Sequence, residues 1–384
     1  MSRPLKIGFL LPYSGMYPFY GQHTMTGLAC ALDKHKIAAS QFNFIPAYVG
    51  SGERAKCLDE AKRLIFFEGV DVLMGMVSVK VLDELKPILQ SFNKLGLFLD
   101  FGEYVPTEKT TGDNLCCLSM NLWQSQYALG KWAVKEFGTD GQLVMPLYES
   151  GFNLSSAFTE GAALAGSRGV NSFVLPTAYA NNDNLNLEAF FAALEKQTPS
   201  FVHAIFSGKM ANQFLWQWRK SKFYDTLPLV AVENMAYNEA LFEVEDMGIK
   251  MYSARSWHRD TQTITNKEFV KKFEDFGKQD ANVFAMLGYE AGLALAAMFP
   301  LLVKGDAAEA LSQLNKKGVE GPRGLISSNS VEHKVYYPID IVKIQTGGTK
   351  TFQTIMATET AFGFDTSEII ENTQSGWLNP YISV

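Results

Sequence analysis

Residues 7–32, IGFLLPYSGMYPFYGQHTMTGLACAL, place an apolar run before an aromatic, glycine-containing loop and an amphipathic helix. The run at residues 7–11 is typical of a parallel strand covered by helices on both faces, and Pro12 ends it. The following loop, residues 13–21, carries aromatic rings and a serine hydroxyl to the carboxyl end of that strand, where open α/β sheets bind ligands. We therefore expect half of a ligand cleft, suited to a small organic molecule rather than a nucleotide.

Length and composition limit the possible classes of protein. A chain of 384 residues is more than twice a typical domain, so two domains are expected. Its net charge of −6 and the absence of a basic stripe argue against a nucleic-acid partner. The longest apolar stretch, residues 284–303, contains Glu290 and Pro300, which predicts a buried helix rather than direct membrane insertion.

The N-terminus and the cysteines bear on the compartment. Residues 1–4 lead directly into the first strand without a hydrophobic leader, which predicts either a cytoplasmic protein or one whose leader has been removed. Cys116 and Cys117 are adjacent in a predicted strand and should point to opposite faces. We expect these two, with Cys30 and Cys57, to be buried free thiols.

Strand and helix patterns alternate along most of the chain, which predicts an α/β protein with parallel sheets. Four strand–loop–helix units precede a short strand that ends at Asn121, and the alternation then restarts as a second α/β domain. From Gly324 the chain becomes strand-rich, with a predicted hairpin formed by residues 336–344 and 351–356. No low-complexity linker separates the halves, so short crossings should join them.

Several short motifs occur in an order that resembles one family. They are IGxxxPxSG at residues 7–15, Tyr20-Gly21, Thr26-Gly27, GVDVLMG at 69–75, LGYEA at 287–291 and VEGPRG at 319–324. With them the chain resembles the type I periplasmic binding proteins of the branched-chain amino acid and amide-binding group, the solute receptors of ABC transporters. The resemblance covers roughly residues 5–355.

The resemblance implies two Rossmann-like lobes that close over a ligand by hinge bending. It places the three hinge crossings near Met120-Asn121, Met251-Tyr252 and Ser328-Ser330. The N-terminal lobe would then contain residues 1–120 and 252–329, and the C-terminal lobe residues 121–251 and 330–384.

In the first lobe, the resemblance implies ligand contacts on the loops that follow strands. Tyr20 would form one wall of the cleft, or else be a packed core tyrosine. The hydroxyl of Ser78 and the backbone N–H groups after it would take a ligand carboxylate, although Ser78 can equally be an N-cap. Gly102, Glu103 and Tyr104 replace the Gly-Ala-Thr segment common in amino-acid receptors, so the ligand should differ in size or charge. Glu103 could also be a solvated loop residue.

In the second lobe, the resemblance implies that Phe152 stacks on the ligand and that Ser207 lines the next loop. Glu233 follows the predicted strand at residues 229–232, where amino-acid receptors place a carboxylate against the ligand's ammonium group. An ammonium group buried in a cleft needs such a partner, because an unpaired buried charge is costly.

Motifs for catalysis are missing from the sequence. The five histidines are scattered without metal-ligand spacing, no serine lies in a GxSxG turn, and no GxGxxG follows the first strand. We therefore expect no enzyme activity, no metal and no cofactor.

The resemblance implies an extracytoplasmic solute-binding protein in the periplasm, which captures a small polar or zwitterionic molecule such as an amino acid or amide. The closed form would be recognised by an ABC transporter permease. The alternative is a cytoplasmic ligand-responsive regulator of the amide-sensor type, which shares the fold.

Overall fold

The computed structural model describes residues 3–106, 112–176, 185–328, 337–348, 350–359, 377 and 379–383. The chain first forms a five-stranded parallel sheet from β1 (Leu5–Leu11), β2 (Phe42–Tyr48), β3 (Val72–Met76), β4 (Leu95–Asp100) and β5 (Leu115–Ser119). The strand order is β2-β1-β3-β4-β5, so β1 lies inside the sheet as its continuous apolar run predicts. The helices between these strands are α1 (Tyr20–Lys34), α2 (Arg54–Arg63) and α3 (Leu82–Ser91).

A second set of parallel strands follows the first crossing. It consists of β6 (Asp140–Pro146), β7 (Gly169–Leu175), β8 (Phe201–Ala204), β9 (Leu229–Ala231) and β10 (Lys250–Arg255). The helices of this part are α4 (Leu122–Phe137), α5 (Leu154–Leu164), α6 (Glu188–Lys196), α7 (Gly208–Lys220) and the short α8 (Asn238–Leu241).

The chain then returns to the first lobe before completing the second sheet. The returning part comprises α9 (Ile264–Gly277), α10 (Val283–Leu302), α11 (Ala307–Lys317) and a two-stranded hairpin of β11 (Val319–Glu320) and β12 (Leu325–Ile326). The last strands, β13 (Ile339–Gly347) and β14 (Lys350–Glu359), form the predicted hairpin. Because β13 pairs antiparallel with β10, the second sheet has the order β14-β13-β10-β9-β8-β6-β7.

Helices α1 and α10 approach each other through glycine. A Cβ atom at Gly27 would lie 2.0 Å from the carbonyl oxygen of Ala285, and one at Gly288 would lie 2.0 Å from that of Thr24. Any side chain at either position would therefore force the helices apart. Helix α10 is apolar and long enough to cross a membrane, but 78% of that apolar window is buried within the protein, as predicted for a core helix.

The four cysteines are free and buried, as predicted. Cys116 belongs to the core on the α1 and α10 side of the first sheet, whereas Cys117 belongs to the core on the α2 and α3 side. The adjacent thiols therefore point to opposite faces of β5.

One predicted crossing is corrected by the sheet pairing. Met251-Tyr252 lies inside β10, which pairs with β9 and β13 of the second sheet. The return to the first lobe therefore comes after Arg255, because a strand hydrogen-bonded on both edges belongs to its sheet. We accordingly propose that residues 252–255 belong to the second lobe, and the remaining lobe assignments stay predictions. The third predicted crossing lies partly outside the described residues.

Candidate functional site

The loop after β4 meets the second lobe where the carboxyl ends of the two sheets face each other. The backbone N–H of Asn153 donates to the carbonyl oxygen of Glu103 at 2.9 Å, and the N–H of Val105 donates to Asn153 Oδ1 at 3.3 Å. The rings of Tyr104 and Phe152 lie 5.5 Å apart, centroid to centroid. The structure thus brings three predicted site residues together: Glu103, Tyr104 and Phe152.

Gly102 sets the direction of this loop. Its φ is +71°, and a Cβ atom there would lie 2.4 Å from the Cα atom of Asn121 at the first crossing. Its backbone N–H donates to Asp100 Oδ1 at 2.6 Å, and Asp100 also accepts from the hydroxyl of Ser119. Gly102 is therefore a residue that positions its neighbours, because both the backbone angle and the close approach favour glycine.

Glu103 is a buried carboxyl group rather than a solvated one, with 1% of its surface exposed. Its Oε1 atom accepts the backbone N–H of Tyr381 at 3.3 Å. Its Oε2 atom is buried and has no hydrogen-bond partner within the described part of the chain. Burial, together with the nearby Asp100, raises the pKa of Glu103 well above that of an ordinary glutamate, because both disfavour the charged form.

We expect the free energy of unfolding to depend on pH through Glu103. A carboxyl group with a raised folded-state pKa stabilises the fold fully below its unfolded pKa, about 4.3 for glutamate, and this stabilisation is lost as pH rises through the folded pKa. The Glu103→Gln variant should therefore lose less stability than the wild type on going from about pH 4 to above neutrality. Urea denaturation at a series of pH values checks this, and parallel pH profiles for the two proteins would contradict it.

The second lobe contributes another buried carboxyl group, that of Glu149, which is not among the site residues predicted from the sequence. Glu149 lies in the turn after β6 and accepts a hydrogen bond from the hydroxyl of Ser207, the residue before α7. Burial, Glu149 and Glu103 together raise the pKa of Tyr148, so both carboxyl groups act on one phenol. The ring of Tyr148 in turn packs edge-on against Phe152, with centroids 5.2 Å apart.

Glu233 is fully buried and its two oxygen atoms bind groups near two crossings. Oε2 accepts the hydroxyl of Ser125 at 2.6 Å, and Oε1 accepts the backbone N–H and the hydroxyl of Ser256, each at 3.0 Å. Ser125 lies in the first turn of α4, and Ser256 follows β10. Burial raises the pKa of Glu233, while the nearby Arg255 opposes this. The predicted contact between Glu233 and a ligand ammonium group stays a prediction.

Tyr20 and Ser78 make local contacts within the first lobe. The hydroxyl of Tyr20 donates to the carbonyl oxygen of Pro12 at 2.6 Å, and its ring lies 6.0 Å from that of Phe284. Ser78 is buried, and its hydroxyl oxygen accepts the backbone N–H of Lys80 at 3.4 Å as an N-cap. Tyr20 is thus packed in the core and Ser78 is an N-cap, which were the alternatives to a ligand contact. The ligand contacts of both residues stay predictions.

The C-terminal segment, which we define as residues 377 and 379–383, lies against this site. Tyr381 is 1% exposed, and its ring lies 5.0 Å from that of Phe152 and 5.9 Å from that of Phe101. Its place at the site could not be predicted from the sequence, because residues 357–384 show no helix or strand periodicity. Phe101 was also missed, although its position directly before Gly102 was a usable signal.

The histidines give no sign of a metal centre in the described residues. No group of three or more His, Cys, Asp or Glu side chains there could hold a metal ion. His203 is packed instead, with its ring 3.8 Å from that of Phe158 and its Nε2 atom 2.7 Å from Gln126 Oε1. Burial lowers the pKa of His203 to about 3, so it is neutral in the fold.

Comparison with protein families finds one match, to a family described as "Periplasmic binding protein", over residues 4–349. Comparison with curated proteins finds no significant match.

Comparison with solved structures finds the same fold in several solute-binding proteins of ABC transporters. One from R. palustris, in complex with benzoate, is 22% identical with a TM-score of 0.72, and the match covers 92% of this chain and 96% of that one. Another from R. palustris, in complex with 4-hydroxybenzoate, is 16% identical with a TM-score of 0.77, covering 93% and 97%. A leucine-binding protein from Thermotoga maritima is 15% identical with a TM-score of 0.68, covering 92% and 98%. The predicted two-lobed α/β fold is confirmed.

Proposed function

Because the chain belongs to the periplasmic binding protein family, we propose that it is the extracytoplasmic solute receptor of an ABC transporter. The solute binds between the two lobes, and closure of the lobes around it creates the surface that the permease recognises. The observation that carries this proposal is the meeting of Glu103 and Tyr104 from the first lobe with Phe152 from the second. The proposed location is outside the cytoplasm, where such a receptor meets its solute.

The proposed solute is a small aromatic molecule that carries an amine. Phe101, Tyr104 and Phe152 supply aromatic walls, which suit a ring better than an aliphatic side chain. Glu103 and Glu149 supply buried carboxyl groups from the two lobes, and a buried ammonium group needs such partners. This narrows the predicted class of polar or zwitterionic ligands to those with an aromatic ring.

Aromatic acids are the second class of solute to consider, because two of the similar structures contain benzoate and 4-hydroxybenzoate. In this chain a solute carboxylate would face the carboxyl groups of Glu103 and Glu149. The raised pKa of Glu103 favours the protonated form, which avoids repulsion between like charges but offers a carboxylate only a neutral hydrogen bond, whereas an ammonium group can form a charged pair with the ionised carboxyl group. We therefore rank an aromatic amine or aromatic amino acid above an aromatic acid.

Glu103 is the better partner for the ammonium group. Its Oε2 atom is buried and has no partner among the described residues, whereas both oxygens of Glu233 already accept hydrogen bonds. Glu233 then acts as a positioning residue, since it connects the start of α4 with the end of β10. This assignment moves the charge contact from the second lobe to the first.

We expect tyramine and L-tyrosine to raise the melting temperature more than 4-hydroxybenzoate does, because a ligand that binds only the folded state stabilises it. In isothermal titration calorimetry, Glu103→Gln should weaken tyramine binding by about 1.5–3 kcal/mol, the size of a charge-assisted hydrogen bond. Glu136→Gln, on an exposed face of α4, is the matched control and should bind as the wild type does.

Two results would decide against this ligand class. If 4-hydroxybenzoate binds and tyramine does not, the solute is an aromatic acid. If Glu233→Gln weakens tyramine while Glu103→Gln does not, the ammonium group pairs with Glu233, as the resemblance alone implies.

A further inference from the structure

The C-terminal segment contacts both lobes at the mouth of the cleft. Trp377 lies against the second lobe, where its Nε1–H donates to the carbonyl oxygen of Tyr148 at 2.7 Å and its ring stacks on that of Tyr148 at 6.0 Å. Pro380 lies against the first lobe, because a Cβ atom at Gly52 would come within 2.5 Å of its Cδ atom. The segment therefore crosses from one lobe to the other.

Tyr381 occupies the space between the lobes. Its backbone N–H donates to Glu103 Oε1 at 3.3 Å, and its hydroxyl donates to Asn234 Oδ1 at 3.5 Å. Its ring lies edge-on to Phe101 of the first lobe and to Phe152 of the second. A single aromatic side chain thus touches both lobes, with an N–H donor at the carboxyl group of Glu103 and a phenol at the other end.

These contacts are those expected of a bound solute. A phenolic ring with a nitrogen donor at one end matches the class of solute proposed above, and here the chain supplies that chemistry itself. The next residue, Ile382, is also fully buried, so the segment enters the core rather than resting on the surface.

We propose that Tyr381 is a built-in occupant of the solute's aromatic subsite and that the C-terminal segment must leave the cleft before solute can bind. The competition between segment and solute rests on the proposed function, whereas the docking of the segment does not. The segment would then set a threshold concentration for the solute and keep the lobes together when no solute is present.

The fraction of molecules with a docked segment determines how much the segment weakens solute binding. The apparent affinity of a solute falls in proportion to the fraction of molecules whose cleft is free. A segment docked in about 99% of molecules would weaken solute binding about 100-fold. Because the segment is covalently attached, an effective concentration in the millimolar range is enough for weak contacts to achieve this.

A disulfide tests where the segment lies without needing a solute. A Cβ atom at Gly151 would lie 2.6 Å from Cγ of Trp377, so cysteines at these two positions fall within disulfide reach. The full-length variant Gly151→Cys with Trp377→Cys should form this bond on mild oxidation, detected by mass spectrometry of proteolytic fragments. The two single variants are the controls, since the native thiols are buried. Failure of the double variant to cross-link would overturn the proposal.

The same double variant tests whether the C-terminal segment and the solute compete for the cleft, with tyramine as the probe. The oxidised protein should lose tyramine binding, and reduction should restore it. Equal binding before and after reduction would overturn the proposal. If tyramine, L-tyrosine and 4-hydroxybenzoate all fail to bind any variant, the proposed solute class is wrong, and the cross-link alone decides whether the segment docks.

Substitution of Tyr381 tests whether the C-terminal segment competes with the solute or is a fixed part of the fold. Tyr381→Ala should bind tyramine at least about fivefold more tightly than the wild type, because the free fraction of the cleft rises. Tyr381→Phe keeps the ring and loses the hydroxyl that donates to Asn234, so its affinity for tyramine should fall between those of the wild type and Tyr381→Ala. If Tyr381→Ala binds tyramine no better, or less well, the segment is a fixed part of the fold and the proposal fails.

Discussion

Replacing Glu290 with alanine is expected to lower the free energy of unfolding by about 3–5 kcal/mol, since it leaves the guanidinium group of Arg323 buried without its ion-pair partner. Both side chains are buried, and Arg323 donates to the carboxylate through two nitrogens at 2.6 and 3.0 Å. The pair connects α10 to the turn between β11 and β12, and Tyr337 covers the guanidinium group at 4.2 Å. Urea denaturation followed by circular dichroism measures the loss.

Two further variants test whether the loss of stability comes from the ion pair between Glu290 and Arg323. Glu136→Ala, at an exposed position of α4, should change stability by less than about 0.5 kcal/mol. Replacing Glu290 and Arg323 together by methionine should recover much of the loss, because no buried charge then remains. A loss below about 1 kcal/mol for Glu290→Ala would mean that water reaches Arg323.

Gly288→Ala is expected to destabilise the first lobe by about 1–3 kcal/mol through overpacking, even though alanine favours a helix by about 1 kcal/mol over glycine. The added methyl group would lie 2.0 Å from the carbonyl oxygen of Thr24, which belongs to the backbone of α1 and cannot rotate away. The two helices would have to separate, and the apolar contacts along α10 would be lost with them. Thermal unfolding checks this, and the melting temperature of Gly288→Ala should be lower than that of the wild type.

The control for Gly288→Ala is another helical glycine. At Gly277, the last residue of α9, a Cβ atom would meet its nearest neighbours at 3.6 and 3.7 Å, which is ordinary van der Waals contact. Gly277→Ala should therefore be neutral or stabilising. If both variants lose the same stability, crowding between α1 and α10 is not the cause.

The features predicted correctly from sequence are those with a local pattern. The apolar run at residues 7–11 becomes β1, and the alternation of strands with helices becomes two sheets. The ordered motifs identified the family, which the match over residues 4–349 confirms, and membership confirms a binding protein rather than an enzyme. Glu103 and Tyr104 follow a strand and so reach the edge where ligands bind, which is why their meeting with Phe152 could be anticipated.

The features missed from sequence depend on contacts between distant residues. Nothing local to Met251-Tyr252 indicates that β10 pairs with β13, about ninety residues later in the chain. The hydrogen bonds of Glu233 come from Ser125 and Ser256, which the fold alone brings together. Tyr381 lies in a stretch without helix or strand periodicity, so only the packed structure shows its place.

The path of the chain between the two sheets has a consequence for how the protein is synthesised. The first sheet needs α10, which follows β1 by more than 270 residues, and the second needs β13 and β14, which follow α10. Neither lobe can be completed while the ribosome is still making the middle of the chain, although N-terminal regions usually fold first. The first sheet therefore stays partly exposed until α10 has emerged, and the second until β13 and β14 have, so a newly made chain depends on being kept from aggregating during that time.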